Sequence, residues 1–177
     1  MPNLTPCLSI RTLRSMPSGR PVSNRIHVES VTARNVADAV ALLERFFREE
    51  AFPSPAGGLE HRVRQYLEMA GHAVFLAFMD ARPVGVATVA TTFGLEYGWL
   101  AEMEDLYVVP EERGAGIGRI LVQRAVRWSA ERGCSAMVVT ITPEGQASHD
   151  LIGFYAHLGF LDRGRRLLEL RLDGREV

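Results

Sequence analysis

Residues 98–142 pass through an apolar stretch, a turn with three glycines in five positions, an amphipathic run and a second apolar stretch. Each piece dictates its own local structure. "YGWLAEMEDLYVVP" is rich in β-forming residues and is stopped by Pro110, which has no N–H to give a ladder. After "RGAGIG", residues Ile117, Ile120, Leu121, Ala125 and Trp128 recur as one helical stripe opposed by Arg119, Gln123, Arg127 and Glu131, and Gly133 supplies the stop. "SAMVVTIT" is almost continuously apolar, as expected of a strand covered on both faces. Strand, helix and strand in that order predict a right-handed βαβ crossover, which needs a parallel strand pair in a sheet with a helix laid on it. All-helical and purely antiparallel folds are thereby excluded.

The rest of the chain must extend that sheet. A short strand is predicted from Ile26 to Val31, and then Val36, Val40, Leu43 and Phe47 at helical spacing, with Asn35 placed to cap the start. "FPSPAGG" breaks the pattern and reads as a loop, followed by a short helix from Leu59 to Ala70 that ends at Gly71. "HAVFLAFMD" and "RPVGVATVATTF" form an antiparallel hairpin, and "GLEYG" turns the chain into the strand that leads to Pro110. Leu151, Phe154, Tyr155 and Leu158 mark a late helix. "RRLLELRL", with Leu168, Leu170 and Leu172 on one side, is expected to form a final antiparallel strand. One α/β (α+β) domain is expected over residues 26–177. Residues 1–25 are basic, acid-free and rich in Ser and Pro, and are expected to be a flexible extension or the product of an early start ahead of Met16. An organelle transit peptide would share their bias.

Composition narrows the function classes. A formal net charge of -1 over 177 residues gives no general attraction for nucleic acid. Cys7 and Cys134 are too few for a disulfide framework and pair with no histidine at zinc spacing, so no metal is expected and the cytoplasm is the default location. No apolar run reaches the ~18 residues of a membrane span. The five histidines are scattered. His149 and His157 are read as surface or packed residues, and Cys134 as a small buried hydrophobe, because direct attack by an amine needs no covalent enzyme intermediate.

The glycine turn indicates what the site binds. Several amides converge where a glycine-rich turn enters a helix, a geometry suited to phosphate oxygens. Gly114, Gly116 and Gly118 allow the backbone to approach an anion, and Arg113 adds positive charge. The turn lacks the Gly-Lys-Ser/Thr ending of a P-loop, and Arg119 stands where the dinucleotide fingerprint needs its third glycine.

"RGAGIG", as Arg113-x-x-Gly116-x-Gly118, resembles the acetyl-coenzyme A signature of the GNAT superfamily of N-acetyltransferases, and "GFYAHLGF" resembles that family's second motif, aromatic-Tyr-x-x-x-Gly-Phe. The resemblance implies a mixed, mostly antiparallel twisted sheet of about six to seven strands flanked by about four helices. It also implies acetyl-CoA as cosubstrate. Coenzyme contacts are expected from Arg113, Gly114, Ala115, Gly116, Ile117, Gly118 and Arg119 at the pyrophosphate, and from the backbone of Leu106, Tyr107, Val108 and Val109 along the pantetheine arm. An amide near Leu106 or Tyr107 would stabilise the oxyanion. Tyr155 aligns with the residue that protonates the departing thiolate. Ser148, seven positions earlier, stands where many relatives have Asn, so a coenzyme contact there is altered.

An alkyl ammonium must lose a proton before it attacks, so a base or a relay water is required. "AEMEDLYVV" offers Glu102, Glu104 and Asp105. Strict alternation puts Glu102 and Glu104 on one face and Asp105 on the other unless a bulge intervenes. Glu102 lies eleven residues before Arg113, the spacing of the base in histone-type members, while "EDLYV" is similar to the acidic strand of diamine and polyamine acetyltransferases. Glu102 and Glu104 are therefore the candidate bases and Asp105 a contact for the amine, with Glu96, Tyr97 and the "FPSPAGG" loop bordering its pocket. The expected activity is acetylation of a small cationic amine such as a polyamine, diamine or aminoglycoside-like acceptor. A protein lysine or N-terminal acetyltransferase and a silent coenzyme-binding module are the alternatives. A homodimer through the terminal strand is compatible with the pattern.

Overall fold

The structure, a computed structural model, describes residues 26–55, 57–168, 170 and 172. The basic segment at residues 1–25 lies outside the described residues. Five strands form one sheet in sequence order: β1 (Ile26–Ser30), β2 (His72–Met79), β3 (Arg82–Gly94), β4 (Gly98–Val108) and β5 (Ala136–Val139). The first three junctions are antiparallel and β4–β5 is parallel, as the crossover requires. Among the described residues five α-helices accompany them: α1 (Val36–Glu49), α2 (Leu59–Glu68), α3 (Ile117–Glu131), α4 (Pro143–His149) and α5 (Leu151–His157). No helix among the described residues is long and apolar enough to cross a membrane.

The core lies where helical stripes meet the middle strands. In α1, Val36, Ala39, Val40 and Leu43 are buried at spacings of three and four, which is one helical face. Asn35 does not cap that helix: its side-chain oxygen instead accepts the Thr32 N–H at 2.8 Å, closing the turn before it. In α3 the buried stripe is Ile117, Leu121, Val122, Ala125, Trp128 and Ser129, and Ile120 is only half-buried. Gly85 makes that packing possible. A Cβ there would stand 3.0 Å from Leu121, 3.1 Å from Ile117 and 3.1 Å from the Tyr107 carbonyl, so a side chain would push α3 off the sheet.

Phe75, fully buried in β2, meets Trp128 edge-on at 6.1 Å and carries the Arg124 guanidinium 4.8 Å above its ring. Phe75→Ala is expected to cost about 3–5 kcal/mol. At about 2–4 °C per kcal/mol for a domain of this size, a thermal melt should fall by roughly 10 °C.

Two expectations differ from the structure. The sheet has five strands where about six to seven were expected, because residues 161–168 adopt no regular secondary structure. Their leucines, with Leu170 and Leu172, are exposed. Alternation in "RRLLELRL" describes a strand only where a neighbour supplies the other half of the ladder, and no described residue does, Glu169 and Arg171 lying outside the described residues. The second difference lies before the late helix: that helix is α5, as its apolar spacing predicts, but a short helix that was not expected, α4, precedes it. Thr142 and Pro143 start α4, with the Thr142 hydroxyl accepting the Gly145 N–H at 3.1 Å. Asp150, at φ 46°, ends that helix and begins α5.

Candidate active site

Strand β4 is irregular at its acids. Thr88 pairs with Asp105 and Val89 with Met103, so Glu104 is the extra residue of a β-bulge. The parallel ladder to β5 ends at the same level, at Met103 and Val139. Beyond it β4 and β5 part, and a cavity of about 510 Å³ opens between them. That volume is within the range of small-molecule sites.

The bulge also changes which side chains share a face. Glu102 pairs with Ala90 and Asp105 with Thr88, so register parity puts Glu102 and Asp105 on the same face, where unbroken alternation would have separated them. Tyr107 continues that face, meeting Phe46 of α1 at 5.6 Å and donating its hydroxyl to Glu49 at 3.1 Å. Met103 lies on the other face under Tyr155, whose hydroxyl reaches its sulfur at 3.8 Å.

Residues Glu104, Asp105, Leu106, Tyr107 and Val108 form one wall of the cavity. Val139, Thr140 and Thr142 form the opposite wall, together with His149, Phe154 and Tyr155 of α4 and α5. Phe46, Glu50 and Phe52 line it as well, as do Arg113, Gly114, Gly116, Ile117, Gly118 and Arg119. His149 and Glu50 approach to 4.0 Å from opposite sides.

In the glycine turn the Ala115 N–H donates to the Glu112 carbonyl at 3.4 Å, while the helix that follows starts uncapped. Gly116 is left-handed, at φ 83°, and a Cβ there would meet nothing within 4 Å. Helix α3 has no side-chain cap and no acid in its first turn. Its first amides are therefore available to an anion from outside the chain, and the helix dipole favours one. The Arg113 side chain is held within the protein: its Nε donates to the Val108 carbonyl at 3.0 Å, and its guanidinium pairs with Glu49 and lies 5.7 Å from the Tyr107 ring centroid. It thus fastens the turn to the end of β4 and to α1.

Burial pushes the Tyr155 phenol up to about 12, and the ring is held edge-on between Phe154 at 5.0 Å and Phe160 at 5.2 Å. Burial also raises Asp105; the Thr88 hydroxyl pulls it back and the Glu104 charge adds to the rise. The Cys134 thiol is raised by burial, and the residue does not line the cavity.

Several expected site residues lie apart from the cavity. Glu102 is outside its lining, and its carboxylate accepts the Thr140 hydroxyl at 3.4 Å. Val109 is buried, while Ala115 and Ser148 are exposed, and none of the three lines the cavity. Glu96 and Tyr97, in the β3–β4 turn, are held by Arg165, which pairs with Glu96 at 2.5 Å and lies 5.3 Å from the Tyr97 ring centroid. Phe46, Glu50 and Thr142 line the cavity without having stood out in the sequence. Of these, Thr142 had a readable signal, the Thr-Pro pair of a helix start. Among the described residues no group of three or more His, Cys, Asp or Glu side chains could hold a metal.

The model of the family described as "Acetyltransferase (GNAT) family" matches residues 38–160. A glucosamine 6-phosphate N-acetyltransferase of Oryza sativa subsp. japonica is 34% identical over 79 residues, which are 45% of this chain and 44% of that protein. A type 1 aminoglycoside N(6')-acetyltransferase of Salmonella typhimurium is 27% identical over 89 residues, covering 46% of this chain and 61% of the relative. The chain thus spans about half the length of the curated relatives it matches. An aminoglycoside N-acetyltransferase solved in complex with CoA superposes with a TM-score of 0.71 at 18% identity, over 83% of this chain and 95% of that one, which is a likeness of fold. With that fold, a bulged β4 parting from β5 and a matching family model over most of its length, the chain belongs to the acetyltransferase (GNAT) family.

Proposed function

We propose that the protein transfers the acetyl group of acetyl-CoA to the primary amine of a small cationic acceptor, by direct attack within a ternary complex. The observation that carries this reading is the β4 bulge, which opens one cavity with Tyr155, Glu104, Asp105 and the uncapped start of α3 on its walls. The amides of residues 114–119 bind the pyrophosphate. The backbone of β4 over residues 106–108 pairs with the pantetheine arm, and an amide there meets the carbonyl oxygen during attack.

One of the two cavity acids, Glu104 or Asp105, takes one proton from the ammonium, directly or through a water, and the other helps to hold the cation. The amine nitrogen then bonds to the thioester carbonyl carbon, the C–S bond breaks and its electron pair stays on sulfur. Tyr155 donates to that sulfur. A phenol at about 12 lies some 3.5 units above an ordinary thiol, about 5 kcal/mol, so at neutral pH Tyr155 keeps its proton and acts first as a hydrogen-bond donor to the developing thiolate. The second nitrogen proton replaces whatever Tyr155 gives up. The sum is one amide, one thiol and one released proton.

Aminoglycoside-like acceptors fit ahead of simple polyamines, because both curated relatives named above are N-acetyltransferases of amino sugars. An open cavity lined by acids argues against a silent coenzyme-binding module. Thiol release from acetyl-CoA against aminoglycosides, amino sugars, polyamines and lysine peptides tests the reading. Turnover should be fastest with a polycationic small amine. Turnover confined to peptides, or tight coenzyme binding with no turnover on any acceptor, would overturn it.

A further inference from the structure

Two polar side chains are buried among the described residues, Thr88 and Ser129. Ser129 is explained within its own helix, where its hydroxyl donates to the Ala125 carbonyl at 2.9 Å. Thr88, 4% exposed in the middle of β3, meets Asp105 with both its donor and its acceptor, and the Tyr66 phenol lies against it as well. Its Oγ1 accepts the Asp105 N–H at 3.0 Å and donates to Asp105 Oδ2 at 2.6 Å. At a regular position that N–H would go to a backbone carbonyl of β3; at the bulge the threonine side chain takes its place.

This arrangement fixes the direction of the proton. The short Oγ1–Oδ2 contact directs the Thr88 hydrogen to Oδ2, and among the described residues no hydrogen bond engages Oδ1, which leaves that Asp105 oxygen for an acceptor. Asp105 lines the cavity beside Glu104 and Leu106, whereas Thr88 lies behind it. We propose that Asp105, through Oδ1, is the group that receives the ammonium proton, and that Thr88 is the positioning residue that aims it and sets its basicity. This rests on the acetyltransferase reading and goes beyond it, since it names the carboxylate that takes the proton and a residue of β3 behind the site. The step balances: the N–H bond of the ammonium breaks, an O–H bond forms at Oδ1, and the nitrogen keeps the electron pair with which it attacks.

The charged and titratable groups around Asp105 are Glu104 on its own strand, Glu50 of α1 on the same cavity, and Tyr66 of α2, whose phenol is driven far upward by burial and then by Glu104, with Asp105 adding to it. Burial opposes ionisation of Asp105, the Glu104 charge adds to it, and Thr88 works against both. A carboxylate raised from its ordinary range is a stronger base for an ammonium than one left there. The sign for stability follows from the raised value: the protonated form is favoured in the folded state, so stability present at low pH is lost as pH rises through the folded value. Asp105→Asn removes that loss and keeps an oxygen for Thr88.

The test uses the full-length protein with Thr88→Val, Thr88→Ser and Asp105→Asn. Carbon-detected titration of the Asp105 carboxyl needs no turnover: its midpoint should lie above that of an ordinary aspartate, higher still in Thr88→Val, and near wild type in Thr88→Ser. With a turned-over amine, Thr88→Val should lower kcat/KM for the amine by roughly tenfold, the scale of a lost hydrogen bond to a charged group, and move the acid limb of its pH profile upward. KM for acetyl-CoA should not change. Asp105→Asn should lose that limb and most activity while melting no lower than wild type at neutral pH. An acid limb and a carboxyl midpoint unmoved by Thr88→Val would overturn the proposal even if amines are acetylated. If the midpoint moves but no amine is acetylated, the acetyltransferase reading fails and the Thr88–Asp105 coupling stands.

Discussion

Tyr155→Phe is expected to lower kcat by about 10²-fold or more, the usual scale for losing a positioned proton donor. KM for acetyl-CoA should stay within a small factor, because the ring's packing against Phe154 and Phe160 is retained. The protein itself should hardly notice. Among the described residues the Tyr155 hydroxyl meets only the Met103 sulfur, at 3.8 Å, a weak acceptor, so its removal strands no strong partner there. The pH dependence has a definite sign. With the phenol at about 12, the protonated form is fully populated throughout the neutral range, so an alkaline loss of kcat below pH 10 does not come from Tyr155 and should persist in the phenylalanine variant. Folding stability tied to Tyr155 is present below the ordinary tyrosine value of about 10 and is lost as pH rises through about 12. Single-turnover and steady-state rates of thiol release check the first claim, and alkaline unfolding of wild type against Tyr155→Phe checks the last.

Gly116→Val should weaken acetyl-CoA binding by about 10²-fold, equivalent to roughly 3 kcal/mol or one to two charge-assisted amide contacts. Two effects combine at that position. At φ 83° a β-branched residue is strained by roughly 1–2 kcal/mol, and the backbone relaxes by turning the following amides away from their common focus. The new side chain also fills the space through which a phosphate would approach. Because an added Cβ meets nothing within 4 Å, the substitution causes no clash inside the protein. Stability should therefore fall by no more than the strain, while affinity falls by much more. Calorimetric titration beside a thermal melt separates the two, and a valine variant that binds as tightly as wild type would remove the turn from the site.

The two motifs flanking the crossover were legible because their physics is local. A proline-stopped strand, three glycines and an apolar helical stripe mark a strand–turn–helix without any tertiary information, and the parallel β4–β5 pair follows from chain order. Tyr155 and the acids of β4 were legible as residue types. Their grouping was not, because a bulge is set by how β3 pairs with β4, and no property of "AEMEDLYVV" alone decides whether Glu104 is the extra residue. For the same reason Thr88 gave no signal: it lies amid an ordinary β-rich run, and its partner is 17 residues away. Arg113 was legible as a charge beside the glycines, and it lines the cavity, but its pairing with Glu49 of α1 depends on a contact 64 residues away in the chain that no local pattern shows. The terminal leucines show that alternation encodes a strand's faces but supplies no partner for its backbone.

The account turns on the cavity between β4 and β5 being a coenzyme A site anchored at the start of α3. Calorimetric titration with acetyl-CoA and with S-acetylpantetheine, which lacks the pyrophosphate and nucleotide, tests this most directly. The account predicts saturable one-to-one binding of acetyl-CoA and affinity for the pantetheine fragment lower by at least about 10²-fold, the share supplied by the amides of residues 114–119. Equal affinity for the two, or no binding of acetyl-CoA, would contradict it.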